Sequence, residues 1–331
     1  MSIRIVVYWP YHMDPVLVDV DFDFVWEVSQ AGYEAVEASP PEGADHKPGT
    51  YLVPIVPLGR IGENRKYRPL DRPALFRTFA DTPTTKEGIL QFAHEFGLLG
   101  CPTPISPPRG FDPGKCVWSR AESLDSWGAE IEQMQDAIHL YDSCLAEDKV
   151  ALSKLIRWEP HFLRYDAPRS HFRKTLDHCM IASDSGLGYP LSDYKRGDFV
   201  GPAWSVLLWI VNFQLQKYAT TPRLFRDARK PGLRAAARLI PGSLLSAVWT
   251  QMHHAIVGRK EYDRCHQCGG WFEVVAEKRK DAKFCSNACR FKAYRERQKQ
   301  AKRLYTEGMR YKQIASKLGS DVETVKGWVA K

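Results

Sequence analysis

Long hydrophobic runs are missing from this 331-residue chain. The longest, Trp204 to Val211 with Phe213 just beyond, falls well short of the ~20 residues that a bilayer requires. It reads as a buried helix, and no membrane partner is expected. A cleavable leader pattern is also missing, since Arg4 is followed only by the short apolar run Ile5 to Trp9. A cytoplasmic protein is therefore expected. There is no internal repeat and no low-complexity tract. Cysteine is sparse, at eight residues, and unevenly placed: Cys101, Cys116, Cys144 and Cys179 stand singly, while the other four fall in one short segment. That distribution argues against a disulfide framework and for a metal site in a reducing compartment.

Net positive charge is missing from most of the chain as well. Residues 259–331 carry 19 Lys and Arg against 9 Asp and Glu, which leaves 28 basic and 30 acidic side chains for residues 1–258. The whole net charge of +8 is thus a property of the tail, the pattern of a polyanion-binding arm on a near-neutral body.

The first 80 residues have a strand-like texture: Ser2 to Trp9, then Val16 to Phe24 with alternating Val18, Val20, Phe22 and Phe24. In Tyr51 to Leu58, Pro54 and Pro57 restrict the run to an edge strand or extended segment. Residues 81–258 read as a helical body. Thr84 or Thr85 caps a helix that ends at Gly97. A longer helix carries Ile131, Met134, Ile138, Tyr141 and Leu145 on one face, and others cover Ala203–Tyr218 and Leu244–Val257. The pattern predicts a mainly α protein with a small β-containing start.

The most specific signal lies in residues 259–298. Cys265 and Cys268 form a C-x2-C pair, and Cys285 and Cys289 a C-x3-C pair sixteen residues later. Four thiolates at this spacing suit a tetrahedral Zn2+, and the second pair disfavours a redox dithiol or inert buried thiols. Gly269-Gly270 permits a tight turn, Trp271 to Val275 reads as a strand with Lys283-Phe284 returning beside it, and Ser286 or Asn287 caps a helix. Knuckle, hairpin and helix make the layout of a treble-clef finger. The segment resembles the CGNR-type zinc fingers of bacterial regulators, although Cys289 is followed by Arg290-Phe291-Lys292 where that family has Gly-Asn-Arg.

Residues 299–331 read as a trihelical helix-turn-helix. Gly308 ends its first helix, Ile314 and Leu318 form the stripe of the second, and Ala315 allows a close crossing. Gly319 supplies a left-handed turn, Ser320 or Asp321 caps the third helix, and Val325 and Trp328 pack inward. The unit resembles the C-terminal domains of serine resolvases and the promoter-reading region of sigma factors, which implies double-stranded DNA as partner. Glu323, Thr324 and Lys326 then face outward on the reading helix. Arg290, Lys292, Arg295, Arg297, Lys302, Arg303 and Lys312 are candidate phosphate contacts.

The body offers no comparable signal. Asp177-His178-Cys179 is the nearest approach to a catalytic set, but triad partners meet through the fold and not as sequence neighbours. Ser2, Arg4 and Arg60 do not make up a resolvase active site, and no catalytic residue is assigned. Residues 74–100 look like segments of bacterial proteins that end in such fingers, which implies a helical body and no activity. The expected function is a zinc-dependent DNA-binding regulator whose body serves for homo-oligomerisation or for holding a small-molecule ligand. The rivals are a recombinase or transposase with the same tail, and an RNA-binding or protein-docking module.

Overall fold

The structure is a computed structural model that describes residues 3–7, 16–20, 24–39, 48–55, 64–72, 74–103, 105–106, 120–166, 180–185, 189–218, 220–226, 235–274 and 282–330. Asp177, His178, Cys179 and Cys116 lie outside the described residues, as does most of the Pro-rich stretch after Cys101. Nine α-helices and fifteen strands occur among the described residues. The architecture is therefore mixed α/β, which corrects the mainly α expectation. No described strand exceeds six residues, and a period of two over so few positions is hard to separate from a helix face or a loop.

Two compact units divide the chain, residues 1–256 and 257–331. In the first, β1 (Ile3–Val7) and β2 (Val16–Val20) form an antiparallel hairpin, and β3 (Trp26–Val28) pairs with β6 (Arg65–Tyr67). A three-stranded antiparallel sheet runs β4 (Tyr33–Ala38), β5 (Gly49–Pro54), β7 (Glu122–Ser123). Its middle strand is β5, not the edge expected from its prolines. Pro54 is tolerated because β7 pairs only with Tyr51 and Leu52, so no partner on that side needs the missing N–H. The same pairing joins residues from both sides of position 80 into one unit. A four-stranded sheet of β8 (Ile156–Trp158), β9 (Phe162–Tyr165), β10 (Met180–Ser183) and β11 (Tyr189–Pro190) follows, then the hairpin of β12 (Thr221–Arg226) and β13 (Ala235–Ile240).

Val36, Tyr51 and Val53 of the three-stranded sheet form one core cluster, and helices supply most of the other buried residues: α1 (Leu75–Ala80), α2 (Lys86–Phe96), α3 (Leu124–Leu145), α4 (Lys149–Leu155), α5 (Val200–Lys217) and α6 (Leu244–Val257). Thr85 caps α2 by accepting from the Gly88 N–H at 3.2 Å. On α3, Trp127, Ile131, Met134 and Tyr141 are fully buried, spaced three and four apart or in multiples of that step, so one stripe meets the core. Several polar groups inside are paired. The Tyr141 hydroxyl donates to the Ala255 carbonyl on α6 at 2.8 Å. Glu122 accepts from the backbone N–H groups of Leu99, Gly100 and Cys101 and from Trp127 Nε1, at 2.6–2.9 Å. Arg77 on α1 makes a bidentate pair with Asp142 on α3, at 2.5 and 3.0 Å.

The second unit begins with β14 (Glu261–Arg264) and β15 (Trp271–Val274), paired antiparallel. Three helices follow: α7 (Asn287–Thr306), α8 (Tyr311–Leu318) and α9 (Val322–Ala330). Its own small core holds Ala301, Leu304, Ile314, Ala315, Val325 and Trp328. No helix among the described residues is long and apolar enough to cross a membrane.

Candidate metal centre and nucleic-acid interface

The segment between β14 and β15 folds back on itself. Gly269 N–H donates to the Cys265 carbonyl at 2.8 Å, and Cys265 N–H to the Gly270 carbonyl at 2.9 Å. Gly269 has φ of +71°, a left-handed conformation that glycine adopts without steric cost. This reversal brings the two flanking strands side by side, so the partner of β15 is β14 and not Lys283-Phe284. Those two residues dock differently: the Lys283 carbonyl accepts from the His266 N–H at 3.0 Å, and the Phe284 ring meets His266 edge-on. Arg264 stacks over Trp271, 4.4 Å from its ring centre, and closes the outer side of the hairpin.

Ser286 then caps α7, its hydroxyl accepting from the Cys289 N–H at 3.2 Å. Cys289 therefore sits in the first turn of α7, turned toward the knuckle. The result is a cluster of Cys265, Cys268, Cys285 and Cys289 whose sulfurs all lie within 4.8 Å of one another. Cys268 and Cys285 Sγ are 3.7 Å apart, and Cys285 and Cys289 Sγ 3.5 Å apart. A Zn–S bond of about 2.3 Å in a tetrahedron sets sulfur–sulfur edges of about 3.8 Å, so the four donors fit a single tetrahedral ion. His266 is not part of the cluster.

Close packing of thiols sets their protonation against one another. Burial, followed by the hydrogen bond with Cys289, pushes Cys285 up to about 12. Burial also opposes ionisation of Cys265, but backbone N–H groups of Cys285, Cys268 and Gln267 outweigh it and bring that thiol down to about 6. A cation among them removes the conflict, because each thiolate then faces positive charge. Outside the cluster, burial pushes Cys101 and Cys144 up to about 12, and these are inert thiols.

The helix that starts in this cluster continues through the next motif. One 20-residue helix, α7, carries Cys289 in its first turn and Ala301 and Leu304 in the trihelical core. Trp328 of α9 donates from Nε1 to the Tyr294 hydroxyl of α7 at 2.8 Å, the rings meeting edge-on. Gly308, at φ +87°, ends α7, and Gly319, at φ +59°, ends α8. Ser320 N–H returns to the Ala315 carbonyl at 3.0 Å, the C-terminal bond of a Schellman turn. Asp321 caps α9, accepting from the Thr324 N–H and hydroxyl, both at 2.7 Å.

The sequence-predicted contacts are distributed over this unit. Glu323 and Lys326 are exposed on α9 and paired with each other at 2.8 Å. Thr324 is half-buried, its hydroxyl engaged by Asp321. Lys312 is exposed on α8, and Lys292, Arg295 and Lys302 on α7. Arg303 is exposed and faces Glu307 at 3.4 Å. Arg290 lies over the Phe291 ring, 5.4 Å from its centre, and Arg297 is half-buried. Sequence reasoning misses Tyr294, which ties α7 to α9; its spacing of seven residues from Ala301 is the one signal that points to it.

Fold and site together define a four-cysteine cluster fused by one helix to a trihelical unit. Residues 296–331 match the family model described as "Putative ATPase subunit of terminase (gpP-like)", a stretch covering the second half of α7 with α8 and α9. No curated protein and no solved structure matches the chain.

Proposed function

We propose that this chain is a zinc-dependent protein that binds double-stranded DNA through residues 257–331. One observation carries the reading: a helix with seven Lys and Arg and one acidic residue runs without a break from the four-cysteine cluster into a helix–turn–helix core. The four-thiolate donor set selects Zn2+ over oxygen-seeking ions. Zn2+ here has a structural part, holding the knuckle to the start of α7, in the manner of a treble-clef finger. The third helix, α9, presents Glu323, Thr324 and Lys326 to the major groove. Lys312 on α8 and Arg290 and Arg297 on α7 meet phosphates beside it.

Within DNA binding, two roles divide the reading. A transcriptional regulator fits a near-neutral body that joins copies of the chain or holds a ligand, as the finger's likeness to bacterial regulators implies. The terminase family match at residues 296–331 favours a role in DNA packaging instead. Titrating the full chain with fluorescent duplex at several salt concentrations tests the common core. About six phosphate contacts give a slope near −5 for log affinity against log salt; a flat response contradicts the reading. Selection of bound sequences then separates the two roles: many genomic operators belong to a regulator, one packaging site to a terminase.

A further inference from the structure

We infer that the outer face of α7 is a second duplex-binding surface, separate from the one on α9. This rests on the DNA-binding reading above and extends it. At about 100° per residue, Ala301 and Leu304 define the side of α7 that meets α8 and α9, and both are buried in the shared core. Tyr294, in contact with Trp328, points the same way. Arg290 and Arg297 fall within about 10° of that direction, beside α9. Lys292, Arg295, Lys299 and Lys302 fall roughly 130–170° away from it, and all four are exposed.

The two sides therefore serve different directions. Val325 and Trp328 turn α9 inward, so the exposed positions Glu323, Lys326 and Gly327 look away from α7. The cation stripe on α7 and the exposed side of α9 thus both point away from the core that the helices share. The one acid on α7, Glu296, stands beside this stripe, four residues from Lys292 and three from Lys299, and accepts from Gln267 Nε2 at 2.8 Å, which leaves four cations against one anion. From Lys292 to Lys302 the stripe is about 15 Å long at 1.5 Å per residue. B-DNA carries about nine charges over that length. Spacings of three, four and three residues keep the cations on one line, as a groove-edge phosphate row demands. A duplex, with its regular charge, is the occupant this row fits.

The test is stoichiometry per chain. Duplexes of about 12 base pairs, about 41 Å long, are too short to wrap from one face to the other. Titrated into the full zinc-loaded chain at low salt, they should saturate at two per chain. A duplex of about 12 base pairs is too short to hold two complete half-sites one helical turn apart, so two copies of the chain do not share one. The weaker site should be lost with a log–log salt slope of about −3 to −4, one step of −0.9 per cation. The variant Lys292→Glu/Arg295→Glu/Lys299→Glu should saturate at one. The neutral variant Lys292→Gln/Arg295→Gln/Lys299→Gln should do the same if charge reversal disturbs the fold. A wild-type ratio other than two, two duplexes still bound by either variant, or none bound by the neutral one overturns the inference. Displacement of the second duplex by poly-L-glutamate at equal charge would assign the stripe to an acidic protein instead, and also overturns it. No duplex bound by the wild type at all removes the DNA-binding reading along with it.

Discussion

The two units of this chain are stabilised in opposite ways. The body, residues 1–256, buries long apolar stripes and full aromatic side chains such as Trp127 and Trp249, and its charges nearly cancel. The tail, residues 257–331, has a core of six buried residues and concentrates positive charge that repels itself. A core so small does not hold a unit of this size alone. On the zinc-dependent reading proposed above, the comparison teaches that the tail depends on a cross-link that the body does not need, with the four-cysteine cluster as its place.

The largest expected effect follows from that dependence. Structural zinc binding is worth on the order of 10–16 kcal/mol at neutral pH, far beyond the tail's core. Cys285→Ser should therefore abolish zinc by elemental analysis and remove hydrogen-exchange protection from β14, β15 and the start of α7. The helices of the body should keep theirs. Stoichiometric zinc in the variant, or equal loss in both units, breaks the contrast.

Next in size are core changes within each unit. Ile314→Ala empties a fully buried position and should destabilise the tail by about 2–5 kcal/mol, with α8 and α9 losing protection together. Asp142→Ala leaves the guanidinium of Arg77, 5% exposed, without its bidentate partner. It should destabilise the body by about 2–3 kcal/mol, below the usual range for a broken buried pair because Asp142 itself is 47% exposed. Zinc content should not change. Calorimetric transitions that move together for the two variants would mean that the units are not independent.

Much of the tail is legible in the amino-acid sequence. Ile314, Ala315, Val325 and Trp328 are expected inward, and all four are buried; Gly319 is expected in a left-handed turn and has φ +59°. These positions are dictated by local geometry, which a sequence states directly. The partner of β15 is not legible, because the knuckle reverses the chain ahead of the strand and a sequence does not show which flank returns. In the body, α2 and α3 can be read from their periodicity. The sheets cannot: β7 has two residues and pairs with β5 across some seventy positions, leaving no local pattern to read. Glu122, which anchors the turn after α2 through three backbone donors and ties it to Trp127 of α3, carries no motif at all.

A smaller effect concerns turn geometry. Gly319→Ala should cost about 1 kcal/mol, since a Cβ is strained at positive φ even though open space surrounds it. The smallest is a pH response at Asp321. Its bonds from the Thr324 hydroxyl and N–H hold this carboxyl below the ordinary aspartate range. A depressed folded-state value means the cap is fully present above the unfolded value, near 4, and is lost as pH falls through the folded one. The hydrogen-exchange protection factor at the start of α9, taken relative to the unstructured amide at the same pH, should fall on acidification below about pH 4 and stay constant above it. Asp321→Asn, which keeps a capping oxygen without a titrating group, should remove that step; a step that survives assigns it elsewhere.

The central claim is that the tail, and not the body, meets duplex DNA. Hydrogen-exchange mass spectrometry of the zinc-loaded full chain, with and without a saturating duplex, tests it most directly. Protection should appear across residues 287–330 and be absent from residues 24–256. Protection confined to the body, or none anywhere under conditions where the duplex is bound, would contradict the account.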